Sequence, residues 1–367
     1  MRTLILNKPV IAITGSSGKT TTKEMLASIL RQRWKVFKTK GNKNHIRALK
    51  QYARQINKSY QAAVLELGIV TSGQLARMCR IIKPNIAVIT MIGTAHIGNF
   101  GGSVEKLVKA KSEIIHSMKP TGTLFLNADD RYSQLLNTEG FLGKIITVGI
   151  NNDADYQAHN IKYVAGGMTF EVRAGSATQE YFIPIYGTHN VYNALFAIAV
   201  ADHLGISPSA IRAGLKTYTR RIGRLKVFRL KRDVLLIDDS YNANPQSMKA
   251  AIDVLSTVGR DKNIAVLGNM SELGQYSQEG HSDVGRHLAD KNVHLLFTLG
   301  SQARHIGIAA SSAGFPEENI IHCSKRSTLH RRLRKEITNG TTILVKGSHS
   351  AAMKKTARFL RSQKSLS

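Results

Sequence analysis

Val10-Ile-Ala-Ile-Thr-Gly-Ser-Ser-Gly-Lys-Thr-Thr-Thr-Lys23 changes texture twice within fourteen residues. Val10 to Ile13 form a short apolar run of the kind that becomes a buried strand, Gly15 to Gly18 make a turn, and Met25, Leu26, Ile29 and Leu30 then recur at helical spacing. Strand, glycine loop and helix in this order aim backbone N–H groups and a helix N-terminus at one spot, which suits a phosphate. Lys19 can reach the outer phosphates, and the Thr20 hydroxyl can ligate Mg²⁺. Gly15, Ser16, Ser17, Gly18, Lys19, Thr20 and Thr21 are therefore the candidate nucleotide-binding residues. The pattern is the shorter Gly-x-x-Gly-Lys-Thr, because the position five before Gly18 is Ile13. An accidental glycine turn would not be expected to place strand, loop, Lys and Thr in the required order.

Working outward, Ala62–Leu67, Asn85–Thr90, Thr123–Leu126 and Lys144–Val148 are further short apolar runs separated by helical or turn-rich sequence. Such alternation predicts a mostly parallel sheet covered on both faces, with ligands at the carboxyl ends of its strands. Glu66 falls at one such end, and His96 lies just beyond the next strand. Glu66 is a hard oxygen ligand suited to Mg²⁺ or a salt-bridging carboxylate; His96 is a ligand or a structural histidine. Between about 151 and 187 two runs alternate like strands of a small antiparallel piece, an excursion within the first domain. His189-Asn-Val-Tyr-Asn193 opens a helix, a second helix follows, and Gly223-Arg224-Leu225 marks the expected boundary.

Beyond it, Val234–Asp238, Ile264–Leu267, Leu295–Leu299, Ile320–Ile321 and Thr342–Val345 alternate with helices again. The expected architecture is thus α/β: a phosphate-loop ATPase domain over 1–223 and a smaller Rossmann-like domain over 224–367. In the second, Asp238-Asp-Ser-Tyr-Asn-Ala-Asn-Pro245 gathers carboxylates and amides at a strand-to-turn corner, as a site or as a capping turn.

The 367 residues are 42% hydrophobic, enough to fill two cores. A formal charge of +28 permits attraction to nucleic acid, anionic lipid or anionic metabolites without choosing among them. Twelve of the cations lie between Lys325 and Lys364, where Glu336 is the only acid, either a solvated face or a binding patch. Cys79 and Cys323 have no metal-ligand or disulfide-framework spacing, which fits a reducing compartment. No apolar run approaches the roughly 20 residues that cross a bilayer, and no signal peptide opens the chain, so a cytoplasmic location is expected.

Ten blocks together carry a family resemblance. They are Thr14–Thr21, Glu66-Leu-Gly68, Gly93-Thr-Ala-His96, Ala110-Lys-Ser-Glu-Ile114, Leu126-Asn-Ala-Asp-Asp130, Gly187–Ala194, Gly223-Arg-Leu225, Asp238–Pro245, Leu267-Gly-Asn-Met-Ser-Glu-Leu-Gly274 and Val345-Lys-Gly-Ser348. In this order they resemble the Mur ligase family, most closely its D-alanyl-D-alanine-adding branch. The resemblance implies ATP-dependent amide formation, in which a carboxylate takes the γ-phosphoryl group and an amine attacks the acyl phosphate. It implies that Lys19 holds the β/γ-phosphates, Thr20 and Glu66 bind one Mg²⁺, and His96 lies near a second. Lys111 matches the family lysine that CO₂ converts to a carbamate, a carboxylate-like metal ligand. Asn190 and Asn193 match the adenine-side asparagines, Arg224 the hinge arginine, and Asp239 a carboxylate that meets the nucleotide when the second domain closes.

Two departures accompany the match. Family members of this branch carry a preceding UDP-sugar domain, whereas nine residues precede the first strand here, so that docking surface is expected to be missing. Where the family has Asn-Asn, a hydrophobic residue, Gly and Pro, this chain has Asn44-His-Ile-Arg-Ala48. The expected partners are small-molecule or peptide carboxylate and amine substrates, the acid anionic, with a partner protein able to supply the missing domain. The alternative is a non-catalytic ATP-binding regulator that docks a protein or an anionic polymer. A nucleic-acid-binding protein is supported only by charge, since aromatic residues are 6% and form no stacking motif.

Overall fold

The computed structural model describes residues 3–219 and 221–362, which fold as two compact units. The first comprises the described residues 3–93 and 103–219, the second residues 94–102 and 221–362.

The first unit runs β1 (Val10–Thr14), α1 (Lys19–Leu30), β2 (Val36–Lys38), α2 (Ile46–Gln55), β3 (Ala62–Glu66), α3 (Gln74–Cys79), β4 (Ile86–Ile89) and α4 (Val104–Ser117). It continues through β5 (Thr123–Asn127), β6 (Lys144–Gly149), β7 (Tyr156–Val164), β8 (Gly167–Ala174), β9 (Ala177–Ile183), α5 (Thr188–His203) and α6 (Pro208–Lys216). Its nine strands form one sheet in the order β2-β3-β1-β4-β5-β6-β7-β8-β9, parallel as far as β7. Strand β1 lies in the sheet interior between β3 and β4, and all its residues are buried. Removing such Val and Ile side chains from water is worth roughly 1.5–3 kcal/mol each, so the strand is an anchor. The register sets Ile13 beside Glu66 and Thr14 beside Ile89, which brings Glu66 to the same carboxyl edge as the glycine loop. Helix α5 is buried along most of its length, consistent with its apolar sequence.

Around 151–187 the strands are antiparallel and lie within the first unit, as the sequence suggests, and they continue the main sheet: Val148 and Gly149 pair in parallel with Tyr156 and Gln157 before β7, β8 and β9 turn antiparallel.

The second unit holds β10 (Lys226–Arg229), β11 (Leu235–Asp239), α7 (Pro245–Val258), β12 (Lys262–Gly268), α8 (Ser277–Ala289), β13 (Leu295–Leu299), α9 (Arg304–Ser312), β14 (Ile320–Cys323), α10 (Arg326–Glu336), β15 (Thr341–Lys346) and α11 (Lys354–Ser362). The sheet order is β10-β11-β15-β12-β13-β14, parallel except for the edge strand β10. A core of Val234, Leu236, Val266, Phe297, Ile343 and Val345 lies under α10 and α11 through Leu329, Leu333 and Leu360. Residues Thr94–Gly102 join this unit through Thr94 Oγ1, which donates to Gln246 Oε1 at 3.1 Å, and Gly98 N, which donates to Glu272 O at 3.2 Å.

The cationic run is not one continuous surface. Lys346 is buried and paired with Asp239, and Arg326 donates to Thr356 Oγ1 at 2.8 Å and Ala351 O at 2.6 Å, whereas Arg331, Arg332, Lys335, Lys354, Lys355 and Arg358 are exposed. Lys364 lies outside the described residues. Cys79 and Cys323 are both buried free thiols. Among the described residues no helix is long and apolar enough to cross a membrane.

Candidate active site

The glycine loop is shaped by what packs against it. Gly15 (φ 139°) and Gly18 (φ 85°) occupy backbone conformations that side chains rarely adopt. A Cβ on Gly15 would meet Thr90 Oγ1 at 2.0 Å, and one on Gly18 would meet Asn193 Oδ1 at 2.3 Å. Ser16 N donates to Met91 O at 2.8 Å, Ser16 Oγ to Gly93 O at 3.0 Å, and Thr90 Oγ1 to Ser17 O at 2.5 Å. The loop is therefore held from the β4 side. Helix α1 begins at Lys19, so its first-turn N–H groups lie directly behind it. Lys19 Nζ folds over the loop and donates to Gly15 O at 2.6 Å.

Behind the loop, the Thr20 hydroxyl lies 3.0 and 3.1 Å from the two carboxylate oxygens of Glu66, and both residues are buried. Asn44 Nδ2 donates to Glu66 Oε1 at 3.0 Å and Lys23 Nζ to Oε2 at 3.2 Å. The backbone N–H of Glu66 donates to Thr39 Oγ1 at 3.0 Å, which fixes the strand end. A hydroxyl and a carboxylate sharing a buried site are hard oxygen donors that fit Mg²⁺, which takes one or two carboxylates together with substrate phosphates. Among the described residues no group of three or more His, Cys, Asp and Glu converges, and Glu66 is the carboxylate that faces Thr20.

Lys111, on α4, is 2% exposed and forms no ion pair among the described residues. Burial first, and then repulsion from Lys19, push its amine from the ordinary 10.5 to about 7, with Asp130 opposing. A large fraction of Lys111 is consequently neutral near pH 7. Asp130 accepts from Ile92 N at 2.6 Å and Ser133 Oγ at 2.9 Å, and burial raises its carboxyl above the usual range.

Asn190 and Asn193 are buried at the start of α5. Asn190 Nδ2 donates to Tyr186 O at 2.7 Å, Asn193 Nδ2 to Asn190 Oδ1 at 3.0 Å, and Thr22 Oγ1 to Asn193 Oδ1 at 3.2 Å. The pair thus locks α5 to α1 beside Gly18. Thr21 is buried in the first turn of α1.

The second unit carries the other three expected residues. His96 has left-handed backbone (φ 65°), a conformation that costs energy in a non-glycine residue, and its Nδ1 lies 2.7 Å from Glu272 Oε2. The His96 ring beside it holds the Glu272 carboxyl below its usual range. Asp239 Oδ1 accepts from Leu225 N at 3.0 Å, and its other oxygen takes Lys346 Nζ, which also donates to Asn242 O at 3.0 Å. Burial lowers the Lys346 amine despite this partner. The Arg224 guanidinium lies 4.1 Å over the Tyr241 ring. The Asp238 corner is largely a cap: Ser240 donates to Asp238 Oδ1, and Asn244 and Ser247 form a reciprocal capping box on α7.

The sequence reading brings Lys19, Thr20, Glu66 and Lys111 into the first unit's site, and gives no role to Lys23, Asn44, Asp130 or Lys346. The signal for Lys23 is its place in the quoted stretch, three residues after Thr20 and on the same buried face of α1. Lys346 lies within the Val345–Ser348 block but reads there as one more surface cation.

Residues 13–201 match the Mur ligase middle domain, and residues 223–349 the Mur ligase, glutamate ligase domain. The chain is 32% identical over 356 residues to the UDP-N-acetylmuramoyl-tripeptide--D-alanyl-D-alanine ligase of Bacillus subtilis, covering 97% of this chain and 76% of that one. A crystal structure of MurF from Acinetobacter baumannii superposes with a TM-score of 0.88 at 32% identity, over 96% of this chain and 76% of that one. The MurF ligase of Thermotoga maritima in complex with ADP gives 0.82 at 25% identity, over 96% and 79%.

Proposed function

The chain belongs to the Mur ligase family and is an ATP-dependent ligase that forms a peptide bond; from that premise we propose that its acid is a UDP-N-acetylmuramoyl-tripeptide and its amine D-alanyl-D-alanine. The likeness over 97% of the chain to a relative of that name carries the substrate assignment. No observation favours a regulatory ATP-binding partner or a protein that supplies part of the site.

In the proposed reaction the loop from Gly15 to Thr21 binds the ATP phosphates. Lys19 neutralises charge on the transferred phosphoryl group as the acid carboxylate takes it, and the amine then displaces phosphate from the acyl phosphate. Thr20 and Glu66 are the residues that would hold Mg²⁺, whose contribution when bound is to neutralise phosphate charge. Lys111 is the proposed carbamate: its neutral amine adds to CO₂, forming an N–C bond and releasing a proton, which leaves a negative group where an ammonium would repel a metal. His96, Asn190, Asn193, Arg224 and Asp239 remain proposed contributors, the asparagines through holding α5 against the loop helix.

Mixing the protein with ATP, Mg²⁺, bicarbonate, the UDP-linked tripeptide and D-alanyl-D-alanine should give phosphate release that depends on both substrates, and a product heavier by the dipeptide less water. Phosphate release indifferent to the dipeptide would overturn the substrate assignment. For the carbamate, depleting CO₂ should slow the wild-type enzyme, and short-chain carboxylates should partly restore Lys111→Ala; full activity of Lys111→Ala without them would reject it.

A further inference from the structure

Lys23 has a relative exposure of 0%, and its ammonium is enclosed by three acceptors. Nζ donates to Gly41 O at 2.5 Å and to Glu66 Oε2 at 3.2 Å, and it lies 3.3 Å from Glu24 Oε1. Glu24 in turn pairs with Lys38, so two ammoniums and two carboxylates alternate along one chain of contacts. A buried charge needs both a counter-charge and satisfied hydrogen bonds, and this network supplies them. It does so with Glu66, the same carboxylate that faces Thr20.

The two oxygens of Glu66 already receive Thr20, Asn44 and Lys23. A divalent cation joining Glu66 must therefore settle next to a fixed ammonium that cannot turn into solvent. Like charges at such separations repel far more in a buried site than in water. Nucleotide phosphates bring the negative charge that offsets this repulsion. We propose that Lys23 is a positioning residue that makes Glu66 a weak metal ligand by itself, so that the divalent cation is taken up with the nucleotide and not ahead of it. The inference rests on the reading of Glu66 as a magnesium ligand.

Mn²⁺ titrations followed by the electron paramagnetic resonance of the free ion test this at one fixed pH, with and without a non-hydrolysable ATP analogue. Without nucleotide, Lys23→Met and Lys23→Gln should bind Mn²⁺ at least about ten-fold more tightly than wild type, because the repelling charge is gone. Lys23→Arg should stay near wild type, and the analogue should narrow the differences. Gln can still donate to Gly41 O, so it decides the matter should Met disrupt folding. Folded Met and Gln variants with wild-type or weaker nucleotide-free affinity would overturn the inference. Glu66→Gln separates the two ideas: unchanged Mn²⁺ binding with the analogue defeats the magnesium assignment, whereas lost binding alongside unchanged Lys23 variants defeats only the role of Lys23.

Discussion

Lys111 carries a burial penalty on its charged form that its proposed role as a carbamate would turn to use. Its amine titrates near 7 in the folded chain against an ordinary 10.5, mainly through burial. Between those values the unfolded chain binds more protons than the folded one, so stability from this group rises with pH across that window; below about 7 both states are protonated and the full penalty is present. Lys111→Met, in CO₂-free buffer, should therefore melt several degrees above wild type near pH 6.5, with the gap closing towards pH 10. Under the proposed carbamate role the same variant should also lose at least about a hundred-fold in turnover, because the negative group at that position would be gone. A drop in melting temperature near pH 6.5 would mean that the ammonium has a stabilising partner. Lys19 donates to Gly15 O at 2.6 Å at the mouth of the glycine loop. Lys19→Ala should keep the fold by circular dichroism yet lose turnover by a similar factor, and retention of more than about a tenth of the rate would contradict its role at the phosphates.

At the scale of elements, the loop depends on two helices as much as on its own glycines. Gly18 combines a φ of 85° with only 2.3 Å between a built Cβ and Asn193 Oδ1. Gly18→Ala is expected to lower kcat/KM for ATP by ten-fold or more and stability by about 1–2 kcal/mol, measured by urea unfolding. Wild-type kinetics would mean that the loop tolerates another conformation. Asn244→Ala, which removes the cap of α7, should cost about 1 kcal/mol with an unchanged urea m-value. The elements legible in the sequence are those whose apolar runs sit in strand interiors, such as β1, β3, β4 and β12. Strand β2 escapes notice because it has three residues, and β10 because it is a four-residue edge strand. Strand β7 escapes because its pairing with β8 shifts between His159 and Lys162, which breaks the alternation. The site divides in the same way. Lys19 and Thr20 are legible because their neighbours in sequence define them, and Glu66 because a strand end does. Lys23, Asn44 and Lys346 acquire meaning only from partners 43, 22 and 107 residues away.

Across the whole molecule the charge of +28 is the feature that local geometry does not use up. Lys23, Lys111 and Lys346 are buried, yet Arg331, Arg332, Arg334, Lys335, Lys354, Lys355 and Arg358 are seven exposed cations among the described residues of the last two helices. Exposed charge of this kind acts at long range: it raises the local concentration of anions and speeds their encounter, and salt removes the effect as the screening length shrinks from about 10 Å at 0.1 M to about 3 Å at 1 M. Buried groups such as Glu66 and Lys111 are screened much less. The two consequences separate in steady-state kinetics. Raising ionic strength from about 0.05 to about 0.5 M should increase KM for the anionic acid substrate several-fold while changing kcat less, and ATP should follow the same trend. The proposed amine, a dipeptide with no net charge, is the internal control, since its KM should move little. If kcat falls instead and both anionic KM values hold steady, the surface charge has no part in substrate capture.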